Sequence, residues 1–184
     1  MVEITNFCYL LWMYKSQRLK LNKLFKYLPS TTSILICSDG SCTKIIDSIN
    51  NAITNTEPSI GDKSSYYNST YSWRKYKIHK TYREKWLVNK KTKRSLFAYS
   101  VYQSGIFEQY QLTTIVPLGK LFINSEIILY RKMCKITCFS SQWLEKQFHV
   151  KGFVWSRQYI FLHKENPFII LEELFSPFLT KLWF

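Results

Sequence analysis

Hydrophobic residues follow two different periods along this chain. Between residues 5 and 28, Phe7, Leu10, Leu11 and Tyr14, and later Leu21, Leu24, Phe25 and Leu28, recur at helical spacing. That spacing gathers them on one face and predicts one or two amphipathic helices, ended by Pro29. Ile34 to Cys37 is a short apolar segment that stops at the turn Ser38-Asp39-Gly40-Ser41. Asp39 or Ser41 is placed there to cap a following helix whose Ile45, Ile46, Ile49 and Ile53 share a face. After a polar stretch at 59–72, which reads as a surface loop, the period changes to two.

Tyr82 to Val88 and Leu96 to Gln103 read as an antiparallel hairpin joined through residues 89–93. Ser104 to Val116 predicts a helical turn or two, leading to the tight turn Pro117-Leu118-Gly119 and a short helix. Glu126 to Cys138 is the next strand and Ser141 to Phe148 the next helix. Phe153 to His163 and Phe168 to Phe175 form a second hairpin around Lys164-Glu165-Asn166-Pro167. Runs of strands punctuated by helices, without regular βαβ alternation, predict an α+β fold built on a mostly antiparallel sheet covered by helices. A chain of 184 residues fits a single domain over 1–184, with its core at about 34–177 and a helical N-terminal segment over 1–30.

The last of these strands carries the chemistry. Its two faces are Phe168, Ile170, Glu172, Leu174 and Ile169, Leu171, Glu173, Phe175, so neither is polar and the strand is expected inside the sheet. Each face holds one glutamate among hydrophobes. An ionised carboxylate left alone there costs several kcal/mol; it must shift its pKa upward, meet a cation, or border a cavity with a polar ligand. Arginines occupy matching positions: Arg131 shares a face with Ile127, Leu129 and Met133, and Arg157 one with Phe153, Trp155, Tyr159 and Phe161. Arg83, with Lys85 and Leu87 on its face, is a third. A planar guanidinium suits a buried carboxylate because its fork can hold both oxygens. Inward arginines with inward glutamates fit either a structural ion-pair network or an enclosed site for a carboxylated small molecule.

Composition narrows the partners. The net charge of +14 comes from 20 lysines and six arginines against 12 acidic residues, without a concentrated basic block. The abundance of Ile, Asn, Phe, Tyr and Lys, with Ala occurring twice, follows A/T-rich codons, so much of the charge reads as a solvated basic surface. A nucleic-acid partner is not expected. Cys8, Cys37, Cys42, Cys134 and Cys138 are an odd, scattered set without a C-x-x-C pair, which predicts free thiols in a reducing compartment and no metal site. His79, His149 and His163 fall in no site motif. No apolar run is long enough to span a bilayer, and the N-terminus lacks the features of a leader.

Asp39-Gly40-Ser41-Cys42-Thr43 opening a helix, Arg83-Glu84-x-Trp86-Leu87, Pro117-Leu118-Gly119-x-Leu121, Arg131 and Glu173-Leu174-Phe175-x-Pro177 occur in an order that resembles the chorismate pyruvate-lyase family. The likeness spans roughly residues 34–177 and is greatest to a divergent branch that includes plastid-encoded open reading frames of red algae. The resemblance implies an antiparallel sheet under helical flaps, no metal or cofactor, and conversion of chorismate to 4-hydroxybenzoate and pyruvate for quinone synthesis; a monomer is the default expectation for the chain. It implies a plastid stromal location for an organelle-encoded chain, and otherwise a cytoplasmic one. By motif, Arg83 matches the arginine of the ring carboxylate, Leu118 a backbone contact to the ligand, and Glu173 the carboxylate at its hydroxyl end. Cys42 falls on a substrate-pocket position. Counting from Pro167 selects Glu172 instead of Glu173. Arg131 or Arg157 is expected to receive the enolpyruvyl carboxylate. The same pocket without turnover would make a binding or sensing module for small aromatic acids.

Overall fold

A computed structural model describes residues 9–13, 28–38, 41–58, 80–89, 93–103, 105, 118, 121–122 and 127–180. Among these residues are β1 (Tyr9–Met13), α1 (Ser30–Cys37), α2 (Cys42–Asn50), β2 (Asn55–Pro58), β3 (Lys80–Val88), β4 (Arg94–Gln103), β5 (Tyr130–Phe139), α3 (Gln142–Phe148), β6 (Val154–His163) and β7 (Asn166–Phe175). The strands form one antiparallel sheet in the order β1-β5-β6-β7-β4-β3-β2. The chain therefore adopts the α+β class its patterning predicts. β7, apolar on both faces, takes the middle position of the seven, where both faces are covered.

The sheet joins two local units. One is the β3–β4 hairpin with β2 on its outer edge, and the other is the β5–β6–β7 meander with β1 on its outer edge. They meet along β4 and β7, where Leu96 pairs with Phe175, Ala98 with Glu173 and Ser100 with Leu171. On one face α1 and α2 bury Leu35, Ile36, Cys42 and Ile46 against Leu87, Leu96, Trp155 and Phe175. On the other, α3 lays Leu144 and Phe148 over Trp86, Phe97, Val154 and Leu174. The Trp86 ring lies 4.5 Å from Phe97 and meets Phe148 edge-on at 5.3 Å.

Local chemistry sets the helix ends. Pro29, with φ at −54°, is the N-cap of α1, and its carbonyl accepts the Ser33 N–H at 3.0 Å. Ser41 stands at the N-cap of α2 without a side-chain bond, while Asp39 lies outside the described residues. Ser141 Oγ accepts the Leu144 N–H of α3 at 3.4 Å. That helix closes on His149 at φ 55°, with Val150 N–H donating back to the Glu145 carbonyl at 3.1 Å. This is a left-handed cap, normally a glycine position. Gly152, at φ 138°, is required as glycine: a Cβ there would stand 3.2 Å from the Pro177 side chain.

Four expectations need correction. The segment expected as the first amphipathic helix contains the strand β1, whose Tyr9–Met13 run pairs with the outer edge of β5. Short aromatic and aliphatic runs fit either period, and here the open edge of β5 decides. The apolar segment at Ile34 belongs to the helix α1, which Pro29 begins. Ile49 and Ile53 are 40% and 60% exposed, so the buried stripe of α2 is Cys42, Thr43 and Ile46. β5 starts at Tyr130, four residues after Glu126, and skips a register between Met133 and Lys135. Residues 14–27, the 59–72 loop and 106–117 lie outside the described residues. No helix among the described residues is long and apolar enough to cross a membrane.

Candidate active site

Register places the charged residues in rows across the sheet. On the α1–α2 face, one row runs Lys85 (β3), Ala98 (β4), Glu173 (β7), Arg157 (β6), Ile136 (β5). The neighbouring row runs Arg83, Ser100, Leu171, Tyr159, Met133. Side chains in such rows stand about 4.8 Å apart, strand to strand. β4 contributes its smallest residues, Ala98 and Ser100, between the charged β3 and the charged β7. The result is a trough. Arg83, Lys85 and Glu173 line it with the hydroxyls of Thr43, Thr56 and Ser100 and the apolar Leu87, Leu96, Leu118 and Leu171.

Glu173 resolves its burial with a cation. Arg157, fully buried, donates from Nε to Glu173 Oε2 at 2.6 Å and from Nη1 to the Ser38 carbonyl at 2.7 Å. Burial works against the guanidinium charge, but the Glu173 carboxylate beside it more than compensates and raises its pKa. Arg157 thereby ties β6 to β7 and to the turn between α1 and α2. Its Nη2 is buried with no hydrogen-bond partner. Arg131 lies over the rings of Tyr159 and Phe161, 4.4 and 5.1 Å from their centroids. Cys42, the first residue of α2, is buried, and burial, followed by the nearby Glu173, pushes its thiol well up. Arg83 is 8% exposed; burial lowers its pKa, and its carbonyl accepts the Ser100 hydroxyl at 3.3 Å.

Glu172 takes the other route. It faces the opposite side of the sheet in the row Glu84, Tyr99, Glu172, Gln158, Lys135. Burial raises its pKa, partly offset by Lys135 and by the Ser156 hydroxyl donating to Oε1 at 3.3 Å.

Of the residues singled out from sequence, the cleft brings together Arg83, Leu118 and Glu173. Arg157 backs Glu173, Cys42 precedes the lining residue Thr43, and Arg131 stands above Tyr159. The sequence motifs leave out Thr56, Ala98 and Ser100, include Thr43 only as the end of the turn that opens α2, and mark Lys85 only as a neighbour of Arg83. Small side chains at alternate positions of an otherwise bulky strand were the available signal for the trough. His149 caps α3, and His163 Nδ1 is 3.2 Å from the Ile128 carbonyl. Cys37, Cys42, Cys134 and Cys138 are free thiols. Among the described residues no three His, Cys, Asp or Glu side chains gather as metal ligands would.

The chain is similar to known proteins over most of its length. The ycf21 protein of Antithamnion sp. is 31% identical over 169 residues, covering 91% of this chain and 88% of that protein. The ycf21 protein of Porphyra purpurea is 27% identical over 170 residues, covering 91% and 94%. That of Cyanophora paradoxa is 29% identical over 147 residues, covering 78% and 75%. These relatives are plastid-encoded reading frames. The model of the family described as chorismate pyruvate-lyase Rv2949c-like matches residues 36–183, and to that family this chain belongs.

Proposed function

We infer that this protein is a chorismate pyruvate-lyase, converting chorismate to 4-hydroxybenzoate and pyruvate. The observation that carries the reading is that Arg83, Leu118 and Glu173, distant in sequence and each matched to a ligand position of the family, share one cleft. Aromatisation drives the reaction. A proton leaves C4, the C3–O bond breaks, and the C–H electron pair becomes the last double bond of the ring. The departing enolpyruvate takes up a proton and ketonises to pyruvate.

The protein has to hold a dianion in its reactive conformer and move that proton. Arg83 anchors the ring carboxylate, and the backbone at Leu118 meets the same end of the ligand. Glu173, held by Arg157, stands at the hydroxyl end and handles the C4 proton, a contribution typically of about 10² to 10⁴ in rate. Cys42 lies behind this contact. The second carboxylate meets a further cation of the site. The plastid-encoded ycf21 relatives support a plastid setting for this reaction; on this reading the 4-hydroxybenzoate is made in the stroma and feeds quinone formation.

The test is to incubate purified protein with chorismate and follow both products, with Glu173→Gln and Glu172→Gln alongside. Equal amounts of 4-hydroxybenzoate and pyruvate, lost in Glu173→Gln and kept in Glu172→Gln, is the expected result. Binding of 4-hydroxybenzoate without turnover would overturn the lyase and leave a non-catalytic binding module.

A further inference from the structure

A substrate with two carboxylates needs two cations, since an unmatched carboxylate in a half-enclosed cleft keeps its desolvation cost. Arg83 accounts for one. Three other cations are near: Arg157, Arg131 and Lys85. Two of the Arg157 nitrogens are committed, Nε to Glu173 and Nη1 to the Ser38 carbonyl. Its Glu173 partner, moreover, lies between it and the trough by register. Arg131 is on β5, two strands beyond β7, its guanidinium laid over Tyr159 and Phe161.

Lys85 differs from both. It lines the same cleft as Arg83, from the same strand and face two residues on. Among the described residues it forms no ion pair, and Ala98 opposite it leaves open the space toward Glu173. Two residues along a strand separate the side-chain origins by about 7 Å, a span suited to two carboxylates of one small ring acid. A lysine stem can also follow a mobile enolpyruvyl arm, which a fixed guanidinium cannot.

We propose that Lys85 receives the second, enolpyruvyl carboxylate, so that the Arg83–Lys85 pair selects dianionic over monoanionic ring acids. This rests on the chorismate reading of the cleft. Burial, and after it the charge of Arg83, lower the pKa of Lys85. A carboxylate placed against Lys85 itself offsets that charge more than one held at Arg83, which lies farther away.

The discriminating comparison is chorismate, with two carboxylates, against 4-hydroxybenzoate, with one. Equilibrium binding of both would be measured by tryptophan fluorescence for the wild-type protein, Lys85→Ala, Lys85→Gln, Lys85→Arg and Arg83→Ala, with turnover in parallel. Lys85→Ala and Lys85→Gln should weaken chorismate roughly 10- to 100-fold and change 4-hydroxybenzoate less than about twofold. Lys85→Arg should recover part of the loss, and Arg83→Ala should weaken both ligands. Equal weakening of both ligands by Lys85→Ala and Lys85→Gln, or no change in either, overturns the assignment. A wild-type protein that binds chorismate in this Lys85-dependent way without turning it over would overturn the lyase reading and keep the Lys85 role. Failure to bind either acid would overturn both.

Discussion

Glu172 and Glu173 are neighbours on one strand, yet their surroundings give them opposite electrostatic solutions. Glu173 meets a buried guanidinium at 2.6 Å, while Glu172 has a hydroxyl at 3.3 Å and a pKa raised by burial. The sign of the pH effect follows. The native protein keeps the Glu172 proton above 4.5, the ordinary carboxylate value, where the unfolded chain has released it. Stability therefore falls as pH rises from 4.5 through the higher native value, and is unaffected by Glu172 well below 4.5. Glu172→Gln should raise the melting temperature at about pH 8 and leave it nearly unchanged at about pH 4. An equal shift at both pH values would show that ionisation of Glu172 does not limit stability. That each glutamate needed a cation, a cavity or a proton was legible from the alternation of β7. Which glutamate received which was not, because the answer depends on which face α1 and α2 cover.

At the scale of elements, both hairpins were legible because each sets two runs rich in aromatic and β-branched residues on either side of a short polar turn. The sequence pattern gives the turn between β6 and β7 four residues, and the structure makes it tighter. Only Lys164 and Glu165 separate the strands, both at positive φ, 46° and 67°. Two such residues make the mirror-image turn that matches strand twist, and it strongly prefers glycine at its second position. Glu165→Gly should therefore stabilise the fold by about 0.5 to 1 kcal/mol, read as a shift in the urea midpoint with an unchanged slope. β1 departs from the helical expectation because five apolar and aromatic residues satisfy a helix and a strand alike, and only the long-range partner β5 distinguishes them. The bulge at Met133 to Lys135 was equally invisible; it puts Met133 and Ile136 on one face, three positions apart. The Arg83, Leu118 and Glu173 motifs marked much of the cleft. Its Ala98–Ser100 floor carries no motif, and its meaning appears only when β3 and β7 flank it.

For the whole molecule, the charge of +14 is large against a cleft that holds two cations and one carboxylate. Such a field draws anions toward the protein without specifying which one, and salt screens it over about 10 Å at 0.1 M. Raising salt from about 0.05 to 0.5 M should raise the chorismate KM several-fold while leaving kcat nearly constant, since the contacts inside the cleft are less exposed to screening. A fall in kcat of the same size would place the salt effect on the chemical step instead of on capture.

The cleft straddles the line where β4 meets β7. Arg83, Lys85, Ala98 and Ser100 come from the β3–β4 hairpin, and Leu171, Glu173 and Arg157 from the β5–β7 meander. Each unit is built from contacts close in sequence, whereas Ala98 and Glu173 must close a loop of about 75 residues, which places their pairing late in folding. A bound acid would then act as a clasp across a late-forming joint. It should leave the folding rate almost untouched and slow unfolding, so that the lifetime of the native protein would be set partly by an acid bound there.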